Sequence, residues 1–248
     1  DDSSGGSANT LLTGDALTGA AAGSAITIDL GTVSATNALL TRIDSLGAQD
    51  GITSITADIT NINADRVAHL KTLTNIGSGT KYQLTYATSG ALTLEQAKDL
   101  TTFTNKTTNS IDFAAAVTGA TTDFYNGSAF TSDFLTVLGK DANPFVSLTD
   151  TINDSTKVAA LNALESGYGS QAGTTGTIAA TVTGAAGTVK AVDVTTQQLT
   201  FTVSSGTLNL TEVESIQGTI NANTLTLTGA ANVEDTLSNA ATTKNAAL

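Results

Sequence analysis

The sequence predicts an α/β fold made by repetition: a solenoid of strand–turn–short helix units with parallel strands. Three observations predict it. First, an apolar residue followed by Thr-Gly, and usually Ala, keeps returning: Leu12-Thr13-Gly14, Leu17-Thr18-Gly19-Ala20, Val117-Thr118-Gly119-Ala120, Val182-Thr183-Gly184-Ala185 and Leu227-Thr228-Gly229-Ala230. Second, the last three follow alternating stretches, which read as strands, and glycine there permits a sharp turn before an Ala-rich helical piece. Third, aromatics make up only 4% of the chain, with no Trp, Met or Cys. A core of Leu, Ile, Val, Ala and Thr suits thin stacked layers. A mostly-β solenoid or a row of β-sandwich repeats is the alternative this pattern leaves open.

Taken in order, residues 1–24 read as an N-terminal extension or partial repeat, 25–240 as the repeat region, and 241–248 as a C-terminal tail. One kind of unit couples an alternating strand to an amphipathic helix. Ile26-Thr27-Ile28-Asp29-Leu30 leads to Leu39, Leu40, Ile43 and Leu46, with Ser34 or Thr36 as cap. Tyr82 to Tyr86 leads to Leu94, Ala97 and Leu100 behind a capping box, Thr93-Leu94-Glu95-Gln96. Phe145 to Leu148 leads to Val158, Leu161 and Leu164, capped by Asp154 or Ser155. Leu199 to Val203 leads to Leu210, Val213 and Ile216, with a second capping box at Thr211-Glu212-Val213-Glu214. The other kind is the strand that ends in Thr-Gly-Ala; its degenerate first copy is Ile52 to Ile59, followed by Val67, Leu70 and Leu73 on one helical face. Strand-to-strand spacing is roughly 20–35 residues, in the range of α/β repeats.

The repeat is interrupted by an insertion near 124–143. Phe124, Phe130, Phe134, Leu135 and Leu138 make it an apolar patch. Such a patch is a small core under a longer loop or, more sharply, a contact surface for a neighbouring subunit. A single proline, Pro144, leaves the strands free to pair without interruption.

The formal charge of −12 and the isoelectric point near 4.2 oppose binding to nucleic acid phosphates or anionic lipid. Absence of cysteine excludes disulfides, thiolate metal sites and thiol catalysis. No apolar run is long enough to span a bilayer, and the first residues have neither the basic nor the apolar region of a signal peptide. With no methionine, the chain reads as a processed product or a segment of a longer one.

Catalytic motifs are missing: no Gly-x-Ser-x-Gly, Walker loop, His-Glu-x-x-His or dinucleotide fingerprint. The lone histidine, His69, sits on a helical face and reads as a surface residue rather than a base. Hard oxygen ligands are more plentiful. Asp141, Asp150, Asn153 and Asp154 are candidate calcium ligands, although their spacing matches neither an EF-hand loop nor a calcium nonapeptide. Calcium is the one cofactor the sequence suggests.

Read together, Val158-Ala159-Ala160-Leu161-Asn162-Ala163-Leu164 and Thr177-Ile178-Ala179-Ala180-Thr181-Val182-Thr183-Gly184-Ala185-Ala186 resemble a known pattern. It is that of the Thr/Ala/Gly-rich repeats in large secreted S-layer and RTX-adhesin-like proteins of cyanobacteria and marine bacteria. The resemblance is clear over 145–190, partial over 199–237 and faint before that. It implies secretion, surface display and a structural role, and it carries over no catalytic residue.

The sequence therefore leads us to expect a non-enzymatic structural repeat protein that assembles with copies of itself outside the cell, as a surface layer, sheath or filament. The alternative is an adhesin or phage-fibre module that recognises a glycan or surface polysaccharide, which needs an exposed aromatic among Tyr82, Tyr86, Tyr125 and Tyr168. A polysaccharide-lyase-like enzyme would need clustered charges, whereas the ten Lys and Arg residues are scattered singly.

Overall fold

A computed structural model describes residues 25–49, 51–77, 80–104, 110–172, 177–193, 198–218 and 224–234. The expected N-terminal extension, the C-terminal tail and the first two Thr-Gly phrases lie outside the described residues. The chain is α/β, with parallel sheets and short helices. It divides into two compact units that exchange a segment within the insertion: Asp1–Val117 with Leu135–Pro144, and Thr118–Phe134 with Phe145–Leu248.

The first unit runs β1 (Ile26–Ser34), α1 (Asn37–Gly47), β2 (Ile52–Ile62), α2 (Ala64–Leu70), β3 (Tyr82–Thr88), β4 (Leu92–Thr93), α3 (Leu94–Thr101) and β5 (Ile111–Asp112). Strands β1, β2, β3 and β5 form one sheet in that order, all parallel. A parallel pair needs a crossover. Here each crossover contains a helix, and α1 packs on α2 and α2 on α3, which puts all three on one face.

The helices begin where cap chemistry places them. The Thr36 hydroxyl accepts from the Leu39 amide at 3.1 Å, and Thr93 and Gln96 form the reciprocal box expected of them. The apolar faces are largely as spaced in sequence: Leu40, Ile43, Leu46, Val67, Leu70, Leu94, Ala97 and Leu100 are buried, as are Ile55, Ile59, Leu84 and Tyr86 of the sheet, whereas Leu39 is half-buried and Leu73 lies beyond the end of α2. Two polar groups complete this core. Asp44 accepts the Asn75 and Ile76 amides at 2.7 Å each, as well as the Asn75 side chain. The buried Tyr82 hydroxyl donates to the Asp44 carbonyl at 2.8 Å, and burial pushes that hydroxyl's pKa up to about 12. Gly47 makes this possible, because a Cβ there would lie 2.0 Å from the Tyr82 hydroxyl oxygen.

The second unit contains most of β6 (Val117–Gly119), then α4 (Thr121–Phe124) and the start of α5 (Ser132–Leu138). It continues with β7 (Val146–Ile152), α6 (Ser155–Ala172), β8 (Ile178–Ala185), α7 (Ala186–Lys190), β9 (Gln198–Leu208), α8 (Leu210–Gly218) and β10 (Thr224–Val233). Its strands follow the order β10-β9-β8-β7-β6, and β7 through β10 pair in parallel. Val158, Leu161 and Leu164 of α6 are buried as expected, and Asp154 caps that helix through the Lys157 amide. The second capping box is displaced by two residues from its expected place. Asn209 and Glu212 exchange bonds of 2.8 Å each, so α8 starts at Leu210 rather than after Thr211.

Two of the three described Thr-Gly-Ala phrases end a strand and open a short helix, as expected: β6 ends at Gly119 and α4 starts at Thr121, and β8 ends at Ala185 with α7 starting at Ala186. The third does not: Gly229 lies inside β10, beside a shift of register. Between β10 and β9, Leu227 pairs with Val203 and Ala230 with Ser205, so β10 carries one extra residue, with Gly229 at φ +62°. The same event occurs in β1 at Gly31 (φ +58°) and in β2 at Asn61 (φ 62°). These are β-bulges held by a left-handed residue, which bend the strand without ending it. Each extra residue shifts the inward positions by one: Ile55, Ala57 and Ile59 are buried before Asn61, and Ile62 is buried after it.

Successive strand–helix segments are also tied by polar contacts at nearly constant sequence separation. Lys71 and Asp99 pair at 2.6 Å, Thr41 Oγ1 and His69 Nε2 lie 2.8 Å apart, and Ser89 donates to Asn61 at 2.7 Å, each pair 28 residues apart in the chain.

Candidate functional site

Two features of the second unit present chemistry to the outside. The first is β10, the last strand of its sheet. Its Leu225, Leu227 and Val233 lie in register with Phe201, Val203 and Leu208 of β9, all three buried. The same apolar row continues onto β10, yet there Leu227 is 38% exposed and Leu225 and Val233 are only half-buried. One edge of β10 pairs with β9; no described strand pairs with the other.

The second feature is an open cleft of about 660 Å³ between α4, the loop after it and the first half of α6. The insertion supplies one wall, through Tyr125, Asn126 and Gly127. Phe134 is fully buried and meets Phe124, Phe130 and Tyr168 edge-to-face at centroid distances of 5.1, 5.4 and 5.7 Å. This cluster fixes the loop that carries Tyr125, whose ring stands edge-to-face with Phe130 at 6.1 Å. Gly167 lets α6 approach, since a Cβ there would come within 2.8 Å of the Phe130 ring. The expectation of a subunit contact is thereby corrected for Phe124 and Phe134, which are 0% exposed within their own chain. Phe130 and Leu138 are half-buried, and only Leu135, at 44%, is well exposed.

Asp150, on β7, is at the floor of the cleft. Its Oδ1 accepts the Thr121 amide at 2.7 Å and the Thr121 hydroxyl at 2.9 Å, and its Oδ2 is 3.4 Å from Lys157 Nζ. Burial works against its charge, but the Thr121 donors and the Lys157 ammonium outweigh burial and hold the carboxyl below the usual range. A carboxylate with a lowered folded-state pKa stabilises the fold above its unfolded value and loses that contribution as pH falls through the folded value. Asp150→Asn is therefore expected to cost about 1–2 kcal/mol at neutral pH. The gap to the wild type should close below about pH 4, as read from urea unfolding at several pH values. A gap that is constant with pH would mean that Asp150 acts without its charge.

Neither a family model, a curated protein nor a solved structure matches this chain.

The residues expected to hold calcium are dispersed. Asp150 is bound to Thr121 and Lys157, Asn153 is exposed, and Asp154 caps α6. Asp141 belongs to the first unit, where its two oxygens accept the Phe113 and Asn143 amides at 2.9 Å each. Among the described residues no group of three or more His, Asp or Glu side chains is arranged to hold a metal ion. His69 lies half-buried on α2 against Thr41. Of the four tyrosines, Tyr82, Tyr86 and Tyr168 are buried, and Tyr125 alone reaches solvent.

Sequence reasoning missed Asn126, Thr122 and Lys157 as cleft residues and Leu227 as an edge.

Proposed function

We propose that this chain is a non-catalytic structural protein, a solenoid of parallel coils that assembles with copies of itself, and that it works outside the cell as part of a layer, sheath or filament. The observation that carries this reading is β10, whose outer edge pairs with no described strand and whose apolar row is half-buried or exposed, at the end of a sheet whose inner strands bury the same row. Such an edge is a template for a further strand, and a protein built of stacked units leaves a face that only a neighbour covers. The polar ties 28 residues apart support the solenoid part of the reading, because each links one coil to the next. The extracellular setting rests on the resemblance of 145–190 to secreted repeats and on the net charge of −12.

The test is the size distribution of the protein across concentration, by sedimentation velocity and electron microscopy, with calcium and with a chelator. The wild type should form species that grow with concentration. Leu227→Lys places a charge on the edge and should shift the population to single chains, weakening self-association by about tenfold or more. A wild type that stays a single chain in both conditions would remove the reading.

A further inference from the structure

We propose that the cleft around Tyr125 binds a neutral carbohydrate chain. The site is built from both halves of the chemistry a sugar needs. Its apolar lining is small: Tyr125 together with Ala159, Ala160 and Ala163 of α6. A pyranose presents one face of C–H groups that packs on such a wall, with its hydroxyls directed to the rim.

The rim is polar and unspent. The Tyr125 hydroxyl and the Thr122 and Thr156 hydroxyls have no hydrogen-bond partner among the described residues. Asn126 is held in one orientation, because its Oδ1 accepts from the Ser128 amide and hydroxyl at 3.1 Å each and from the Ala129 amide at 3.0 Å. Its NH2 group is thereby left to donate outward. A preoriented donor costs little to engage, which is what a weakly held, strongly hydrated ligand requires.

Charge selects the class of sugar. The Asp150 carboxylate and the Lys157 ammonium neutralise each other at the cleft floor, in a chain of net charge −12. An anionic ligand meets no surplus cation and a repulsive surround. A peptide is disfavoured by the walls. Helices and a loop supply them, β7 is paired on both sides, and no strand edge is free there to receive a peptide backbone. The volume, about 660 Å³, is that of a ligand cleft and admits a short oligosaccharide.

The experiment uses the full chain carrying Leu227→Lys, so that self-association adds no avidity, on an array of neutral gluco-, manno- and galacto-configured oligosaccharides beside sulfated and uronic-acid chains. Retention on at least one neutral chain is expected. Tyr125→Ala should weaken it by about tenfold and Asn126→Ala by about threefold, with Tyr125→Phe falling between wild type and Tyr125→Ala. Far-UV circular dichroism checks folding. If Tyr125→Ala proves unfolded, titrating the bound oligosaccharide in free form should still shift the Asn126 side-chain amide resonance. No retention, retention on anionic chains only, retention unchanged by Tyr125→Ala in a folded protein, or an unmoved Asn126 resonance would each overturn the proposal.

Discussion

Truncating Phe134 to alanine is expected to cost the second unit about 3–5 kcal/mol. The ring is completely buried and meets three other aromatic rings edge-to-face, so its removal leaves a cavity that the rigid neighbours cannot close. Because whole domains are stable by only about 5–15 kcal/mol, the change should lower the urea midpoint strongly and expose the cleft loop to protease. The neighbouring substitution Leu135→Ala is the internal control. Leu135 is 44% exposed, and its loss should move the midpoint by no more than about 0.5 kcal/mol. Equal effects at the two positions would mean that the insertion is not packed as described.

Asp44→Ala is expected to cost the first unit about 2–4 kcal/mol. Its carboxylate accepts two backbone amides at 2.7 Å and the Asn75 side chain at 3.2 Å, tying the segment after α2 to α1. Alanine leaves the buried Ile76 amide without an acceptor, so desolvation is no longer compensated. Asp44→Asn keeps one oxygen for the amides and should cost clearly less. Hydrogen exchange gives the sharper readout: the Ile76 amide should lose protection in Asp44→Ala and largely retain it in Asp44→Asn. Protection unchanged in Asp44→Ala would mean another group receives that amide.

How much of this was legible follows from which forces are local. Helix faces such as Leu40/Ile43/Leu46 and Leu94/Ala97/Leu100 were legible because burial at helical spacing writes itself into adjacent residues. The Thr93–Gln96 box was legible for the same reason. Thr-Gly-Ala ends a strand at Gly119 and Ala185 as read, but not at Gly229, because a glycine that bends a strand and a glycine that ends one look alike; only the pairing of Leu227 with Val203 and Ala230 with Ser205 tells them apart. The box at Thr211 shifted because Asn209 also offers a cap and has Glu212 three residues on, a competing match of equal quality. Asp44 carried no signal in the sequence, since its partners arrive from 31 and 32 residues away. The cleft was the least legible feature. Tyr125, Asn126, Asp150 and Lys157 come together only because the Phe124/Phe134 cluster fixes the loop against α6, and no local pattern announces that.

The neighbour-only pairing from β7 to β10 has a mechanical corollary. A pull on β10 across the strand direction loads the bonds to β9 alone, so the sheet should strip one ribbon at a time instead of failing at once. Each step gives up a single strand's ladder, and the next strand is then the new margin. The sheet therefore yields in small increments.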